Sequence, residues 1–350
     1  MNKFLEEILE QPVALQNTLK FYVTGKGKDT LEKIKKEFTK NNFENIIFTG
    51  MGSSYFTSFA AANLFNSFGL KSFAMNSSEL LHYNFSVLSK NTLLVCFSQS
   101  GESFEIKEIL KILPSNIFCI GITNEEESTL AKKANIALLS RAGKENMTST
   151  KTYVSTLLVS YIMGWFLTDN WTSTKVSLIE NLINNIDMTL SNYNSWIDDT
   201  LEFLGELPFL QIIARGPAYS SAMQSALMFK EATRTPSSGI FGGEFRHGPM
   251  EMVQEGFKSI LFASNGKTIN QSLQMAEDIA KFGGKVLLIT NSSQKLSNTN
   301  IRVLSLTEED EYLFSILSII PMQLLVDSFG RLNGFEAGSF SRGAKVTVIE

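Results

Sequence analysis

The stretch NIIFTGMGSSY, residues 45–55, carries the pattern Ile-Ile-x-x-Gly, and the pattern returns in QIIARGPAYSS, residues 211–221. Ile46, Ile47 and Gly50 stand against Ile212, Ile213 and Gly216, 166 positions further on. Two more segments follow in the same order at nearly the same offset. LVCFSQSGES (94–103) falls against ILFASNGKT (260–268), with Gly101 facing Gly266, and GITN (121–124) falls against LITN (288–291). Three matches in one order argue for two copies of one unit, because an internal repeat holds its period where chance matches do not. Each copy alternates short apolar runs with longer stretches of helical period, as buried parallel strands joined by crossover helices require. The expected fold is α/β, with two tandem doubly wound parallel-sheet domains.

A chain of 350 residues is long enough to bury two cores, and 43% hydrophobic with 19% charged residues describes an ordinary globular protein rather than a disordered one. A net charge of −4 and the lack of a Lys/Arg run leave no electrostatic footprint for nucleic acid, so any bound anion is small and held locally. Cys96 and Cys119 lie in apolar, strand-like runs and read as buried reduced thiols of a cytosolic protein. The first twenty residues lack the apolar core of a signal peptide. The run nearest to a membrane span, YVSTLLVSYIMGWFLTDNW (153–171), carries Ser and Thr positions that suit a buried helix better. The expected location is the cytoplasm, with no membrane contact.

In the first copy two strand ends open into hydroxyl-rich loops, TGMGSSYFTSF and FSQSGESFEI. A loop that leaves a parallel strand and enters a helix points backbone N–H groups outward and favours anions, and serines add donors. Ser98, Gln99, Ser100 and Ser103 can wrap one phosphate, with Ser53 and Ser54 in the adjacent loop and Gly52 and Gly101 admitting close backbone approach. One such loop alone reads more simply as helix capping; two on neighbouring strands favour phosphate. GMGSSY lacks the third Gly of a dinucleotide fingerprint and no Gly-Lys-Ser/Thr follows, which makes nucleotide the weaker ligand. In AGKENMTSTKTY (142–153), Thr148, Ser149, Thr150 and Lys151 can cap the apolar helix that follows, line the pocket, or both, capping being the simpler reading.

The second copy has lost this loop chemistry. Gly52, Ser53 and Ser54 face Ala218, Tyr219 and Ser220, and Ser98, Gln99 and Ser100 face Ala263, Ser264 and Asn265. Instead, AYSSAMQSALMFKEATRTP reads as a helix that begins near Pro217, carries Glu231 near its end and is stopped by Pro236. GIFGGEFRHGPMEMV (239–253) then packs four glycines and a proline around His247. A carboxylate and an imidazole are the groups that move protons at a sugar carbonyl, but the pattern equally allows a solvated helix-end Glu231 and a structural His247. The other histidine, His82, reads as a packed or pocket-edge side chain. Neither a His/Cys cluster nor a dinucleotide motif is present, so no metal or organic cofactor is expected.

Taken in order, EILEQP, GSSY, SELLHY, SQSGES, STKTY, KEATRTP, GEFRHGP and AKVTVIE resemble the sugar isomerase (SIS) domain proteins over nearly the whole chain, in particular double-SIS chains like the isomerase half of glucosamine-6-phosphate synthase. The resemblance implies flavodoxin-like, three-layer αβα domains. It arranges them as an N-terminal helical segment (1–40), a phosphate-binding domain (41–175), a helical linker (176–205), a catalytic domain (206–335) and a tail that closes over the site (336–350). It places the phosphate loop on Ser98, Gln99, Ser100 and Ser103 with Ser54, and sets Gly52, Ser53 and Thr150 beside them. It puts the family's proton-shuttling Glu on Glu231 and its tail Lys on Lys345. Its ring-opening His falls on His247, commonly supplied by the neighbouring subunit, which implies a homodimer.

Two departures from the synthase pattern bear on activity. The synthase has a glutamine-hydrolysing domain with a Cys after the initiator Met, whereas here Asn2 follows Met1, so glutamine-dependent synthesis is not expected. The synthase also has a Lys one helical turn before its catalytic Glu, and that position is Met228 here. Glu and His retained without that Lys resemble the deglycases that split 6-phosphorylated fructosamines into glucose 6-phosphate and a free amine. An isomerising glucosamine-6-phosphate deaminase, an aldose–ketose phosphosugar isomerase and a non-catalytic sugar-phosphate sensor are the alternatives.

Overall fold

The structure is a computed structural model and describes residues 1–294, 296–307, 309–340, 342 and 344–347. Strands β1 (Asn45–Gly50), β2 (Ser72–Asn76), β3 (Thr92–Phe97), β4 (Phe118–Thr123) and β5 (Ile136–Leu139) form one sheet in the order β2-β1-β3-β4-β5. Strands β6 (Leu210–Ala214), β7 (Ser237–Phe241), β8 (Lys258–Ala263), β9 (Lys285–Thr290) and β10 (Ile301–Ser305) form another in the order β10-β9-β8-β6-β7. Every pairing is parallel, and read from β7 the second sheet repeats the order of the first. The repeat in the sequence is thus a repeat of strands: its three matched segments fall on β1 and β6, β3 and β8, and β4 and β9.

The chain divides into two compact units. The first combines Glu10–Ile183 with the described part of Phe340–Glu350; the second combines Met1–Leu9 with Asn184–Ser339. The N-terminal helical segment and the tail are therefore each assigned by packing rather than by chain order.

In the first unit β3 is buried along its whole length, which explains its uninterrupted apolar run TLLVCF. Cys96 on β3 and Cys119 on β4 are both free and buried, with their sulfurs 3.8 Å apart. The hydrogen bond between them and burial push the Cys96 thiol up, away from the reactive thiolate. Helix Lys151–Leu167 is buried on nearly every side, as its Ser/Thr-interrupted apolar run suggests. Helix Ser53–Ser67 packs closely on it because Gly164 has no side chain: a Cβ there would come 2.7 Å from Leu64 Cδ2 and 2.9 Å from Phe65 Cε2.

In the second unit helix Ala218–Met228 packs on β6 and β7. Its last turn, Phe229–Thr233, widens to a π-helix, and Arg234 at φ +58° ends it two residues before the expected stop at Pro236. The run Glu311–Leu332 holds an 18-residue window of mean hydropathy 1.6 and so meets the length and composition of a membrane span, a property that the sequence analysis assigns to no segment. Its residues 313–330 are all buried and form part of the core of this unit, and Asp310 caps the run by accepting from the backbone N–H groups of Tyr312 and Leu313.

Beside that cap, burial pushes the Glu309 carboxyl up to about 7, against a hydrogen bond from Asn185 and with help from Asp310. The folded chain therefore holds a proton that the unfolded chain releases between pH 4.5 and about 7. Unfolding free energy from urea titrations should fall as pH rises through that window, and Glu309→Gln should flatten the decline. Overpacking the helix contact gives a second test. Gly164→Val should lower the unfolding free energy by about 1–3 kcal/mol in the same titration, and Gly164→Ala should cost less.

Candidate functional site

The strand order fixes where ligand chemistry can lie. β1 and β3 are neighbours while the crossovers that follow them leave toward opposite faces, and a crevice opens between their carboxyl ends. After β1, Gly52 at φ +51° turns the chain into helix Ser53–Ser67. After β3, Gly101 adopts φ +65°, where a Cβ would lie 2.1 Å from Ser128 Oγ, so glycine alone fits. The cleft between these loops is lined by Ser53, Ser54, Thr57 and Gln99, joined by Ser149 and Thr152 from the third hydroxyl-rich stretch.

Ser53, Ser54 and Gln99 are thus brought together. Ser98 is 2% exposed, and its hydroxyl pairs with that of Ser103 at 2.8 Å; the Ser100 hydroxyl accepts from the Glu102 N–H at 3.2 Å. The helix after β1 starts at Gly52, which has no side chain to cap with, and Ser103 makes no side-chain cap to the helix after β3. Neither helix start has a serine cap: the Ser54 and Tyr55 N–H groups donate to the Met51 carbonyl at 3.0 and 3.4 Å, and the Phe104 N–H, the first of helix Phe104–Ile112, donates to the carbonyl of Thr347 on the tail at 3.2 Å.

The sequence reading passed over Glu145, whose side chain is fully buried. Its carboxylate accepts from the Thr150 N–H (2.9 Å) and hydroxyl (3.1 Å), the Thr152 N–H (3.1 Å) and hydroxyl (2.5 Å), and Lys345 Nζ (2.6 Å). Lys345 Nζ also donates to the Met147 carbonyl at 2.5 Å. The expected cap is corrected by this geometry: Thr150, fully buried, gives its hydroxyl to Glu145, and that carboxylate satisfies the start of helix Lys151–Leu167. A carboxylate at a helix N-terminus also has the favourable sense of the macrodipole. Lys151, 4% exposed, pairs with the Glu10 carboxylate. The only signal in the sequence was an acid five residues ahead of a helix start, which is too common to stand out.

In the second unit Glu231 occupies the π-turn and is half-buried, so it is not a fully solvated helix-end charge. His247 follows the short helix Gly242–Arg246, is exposed, and precedes Gly248 at φ +127°. It lines a cavity with Arg215 and Arg246 whose wall does not include Glu231. Met228 is fully buried and ends helix Ala218–Met228. His82 is exposed at the end of helix Ser77–His82, with its ring 6.4 Å from that of Tyr83, which excludes the packed half of the packed-or-pocket-edge expectation.

The second copy's version of the serine loop holds an anion of its own. Gly266, the counterpart of Gly101, leaves room for the Glu311 side chain: a Cβ there would lie 2.2 Å from Glu311 Cδ. The Lys267 N–H donates to Glu311 Oε1 at 3.1 Å.

Two doubly wound parallel units, one with a hydroxyl-lined cleft at its switch point, define an α/β protein of the kind that holds small ligands at the carboxyl edge of a sheet. The chain belongs to the SIS domain family, whose model matches residues 38–164 and 209–328, one match per sheet. It is 30% identical over 359 aligned positions to the isomerizing glutamine–fructose-6-phosphate aminotransferase of Wigglesworthia glossinidia brevipalpis, an alignment that covers 99% of this chain and 58% of that protein. The chain thus spans a little over half the length of the curated relatives it matches. The fold is shared with the C-terminal domain of glucosamine-fructose-6-phosphate aminotransferase from Francisella tularensis, at a TM-score of 0.88, 23% identity and coverage of 97% and 98% of the two chains. It is also shared with glucosamine-6-phosphate deaminase from Thermotoga maritima, at a TM-score of 0.73, 20% identity and coverage of 99% and 100%.

The tail contacts are directly testable. Lys345→Met should release the segment around Thr347 and speed hydrogen exchange of the Phe104 amide roughly tenfold, given about 1.5–3 kcal/mol for a hydrogen bond to a charged group. Exchange at the wild-type rate would show that Lys345 does not hold the tail.

Proposed function

We propose that the protein is a phosphosugar-processing enzyme, specifically a 6-phospho-fructosamine deglycase. The observation that carries the sugar-phosphate part is the contrast between the two copies. The second copy's loop is filled by the Glu311 carboxylate, while the first copy's cleft presents Ser53, Ser54 and Gln99 beside helix N-termini that no serine caps. A phosphate held there anchors the substrate, and binding energy remote from the reacting carbons serves to orient them.

In this reading His247 assists ring opening, and its exposure suits a group offered to a second copy of the chain in a homodimer. Glu231 removes a proton from C1 of the open-chain ketoamine to give the enaminol and returns it at C2. The product is a C1 imine, which water cleaves to glucose 6-phosphate and the free amine. The thioether of Met228, where the synthase pattern has a lysine ammonium, supports the deglycase over synthase-type isomerisation.

A second reading has its own support. Lys345 lies in the same unit as the serine cleft, tied to Glu145, and a retained tail lysine favours an isomerising glucosamine-6-phosphate deaminase. Mass spectrometry of products from a 6-phosphorylated fructosamine and from glucosamine 6-phosphate separates the two. Glucose 6-phosphate and amine from the first are expected; turnover of only the second would replace the deglycase by the deaminase. Glu231→Gln should lower turnover by about 10²–10⁴-fold while phosphosugar affinity stays near wild type. A protein that merely senses the sugar would be indifferent to the change.

A further inference from the structure

The cavity beside His247 has a charge that nothing among the described residues answers. It measures about 520 Å³. Arg215 is the first residue after β6, Arg246 and His247 follow β7, and Asn270, Gln271 and Gln274 come from helix Ile269–Lys281, which follows β8. Because β6 and β8 are the neighbours whose crossovers diverge, the cavity lies at the switch point of the second sheet, where doubly wound folds hold ligands.

The acid in this neighbourhood is fully used. Asp278 Oδ2 takes Arg246 Nη1 at 2.5 Å, and its Oδ1 takes Gln274 Nε2 at 3.0 Å. Among the described residues Arg215 has neither a hydrogen bond nor an ion pair. Its guanidinium lies over Gly242, where a Cβ would come 2.7 Å from Nε, so the missing side chain at Gly242 makes its room. Partial burial and the nearby Arg246 both push the Arg215 pKa down, which means that its charge is disfavoured where it stands. An arginine cannot shed that charge, so an incoming anion is stabilised there.

The shape of the deficit selects the anion. One unanswered unit charge matches a monoanion, and the planar guanidinium fork matches a carboxylate. The three side-chain amides supply neutral hydrogen bonds, and the volume is that of a ligand site rather than of an ion alone. We propose that this cavity binds the carboxylate of a small organic acid through Arg215, and that the acid is the amine half of the substrate, an amino acid joined to the sugar through its nitrogen. The assignment of the acid to the substrate rests on the reading in which His247 acts on that substrate.

The probes are the 6-phosphofructosyl conjugates of glycine and of methylamine, which differ by one carboxylate, titrated calorimetrically into the full chain and into Arg215→Met. Wild type should bind the glycine conjugate about 10–100-fold more tightly, the range of a charge-assisted hydrogen bond. Arg215→Met should lose that preference and, because it removes an unanswered charge, should melt no lower than wild type. Arg215→Lys, with charge but no fork, should recover part of it. Equal wild-type affinity for the two conjugates, or equal weakening of both by Arg215→Met, would overturn the proposal. So would a change of sedimentation state in Arg215→Met with the preference intact, which would assign the answering acid to a second copy of the chain. Turnover in the same samples keeps the two readings apart. A carboxylate preference without release of glucose 6-phosphate would defeat the deglycase and leave the cavity assigned, and release from both conjugates at equal affinity would do the reverse.

Discussion

Parallel strands in the order 2-1-3-4-5 leave one place in each sheet where neighbouring strands send their chains to opposite faces. The chemistry of this protein depends on what the sequence puts there. In the first sheet the place is flanked by the loops after β1 and β3, and both loops need a glycine at positive φ. Gly101 is the tighter case, since Ser128 fills the space a side chain would need and the Leu130 N–H donates to the Gly101 carbonyl.

The two copies satisfy the same electrostatic demand in different ways. A strand–loop–helix junction favours negative charge because its opening N–H groups have no intrahelical acceptor. In the second unit the Glu311 carboxylate meets that demand at the loop after β8. In the first, Glu145 meets it at the start of helix Lys151–Leu167, while the loop after β3 is left to its serines and to one tail carbonyl. The copies thus differ in where a built-in anion sits, and the loop after β3, which has none, is the better candidate for an external phosphate.

Glu145 also gives the tail a reason to be where it is. A buried carboxylate that already accepts four hydrogen bonds within its own loop and helix start gains, among the described residues, its only cation from Lys345. Lys345 and Thr347 thereby fix the tail at two points, one on the carboxylate and one on the helix that follows the serine loop. The lysine of the tail and the loop of the cleft are mechanically connected.

The sequence by itself determined the two-copy α/β architecture, because a repeat of apolar runs is preserved as a repeat of strands: Ile46 and Ile212, or Ile47 and Ile213, are buried for the same reason in each sheet. It also marked the serine loops, since a glycine and several hydroxyls at a strand end carry their chemistry in the local chain. Only the tertiary structure decided which hydroxyls remain open to a ligand. Ser98 turns to Ser103 and Thr150 to Glu145, partners set by side-chain direction rather than by spacing. The π-turn that carries Glu231, the Glu311 carboxylate in the second loop and the unanswered charge of Arg215 were likewise invisible, because each depends on groups that are distant in sequence or on a local hydrogen-bond slip that no residue pattern announces. Burial patterns are periodic along a chain and can be read from it, whereas electrostatic balance is a sum over neighbours that exist only once the chain has folded.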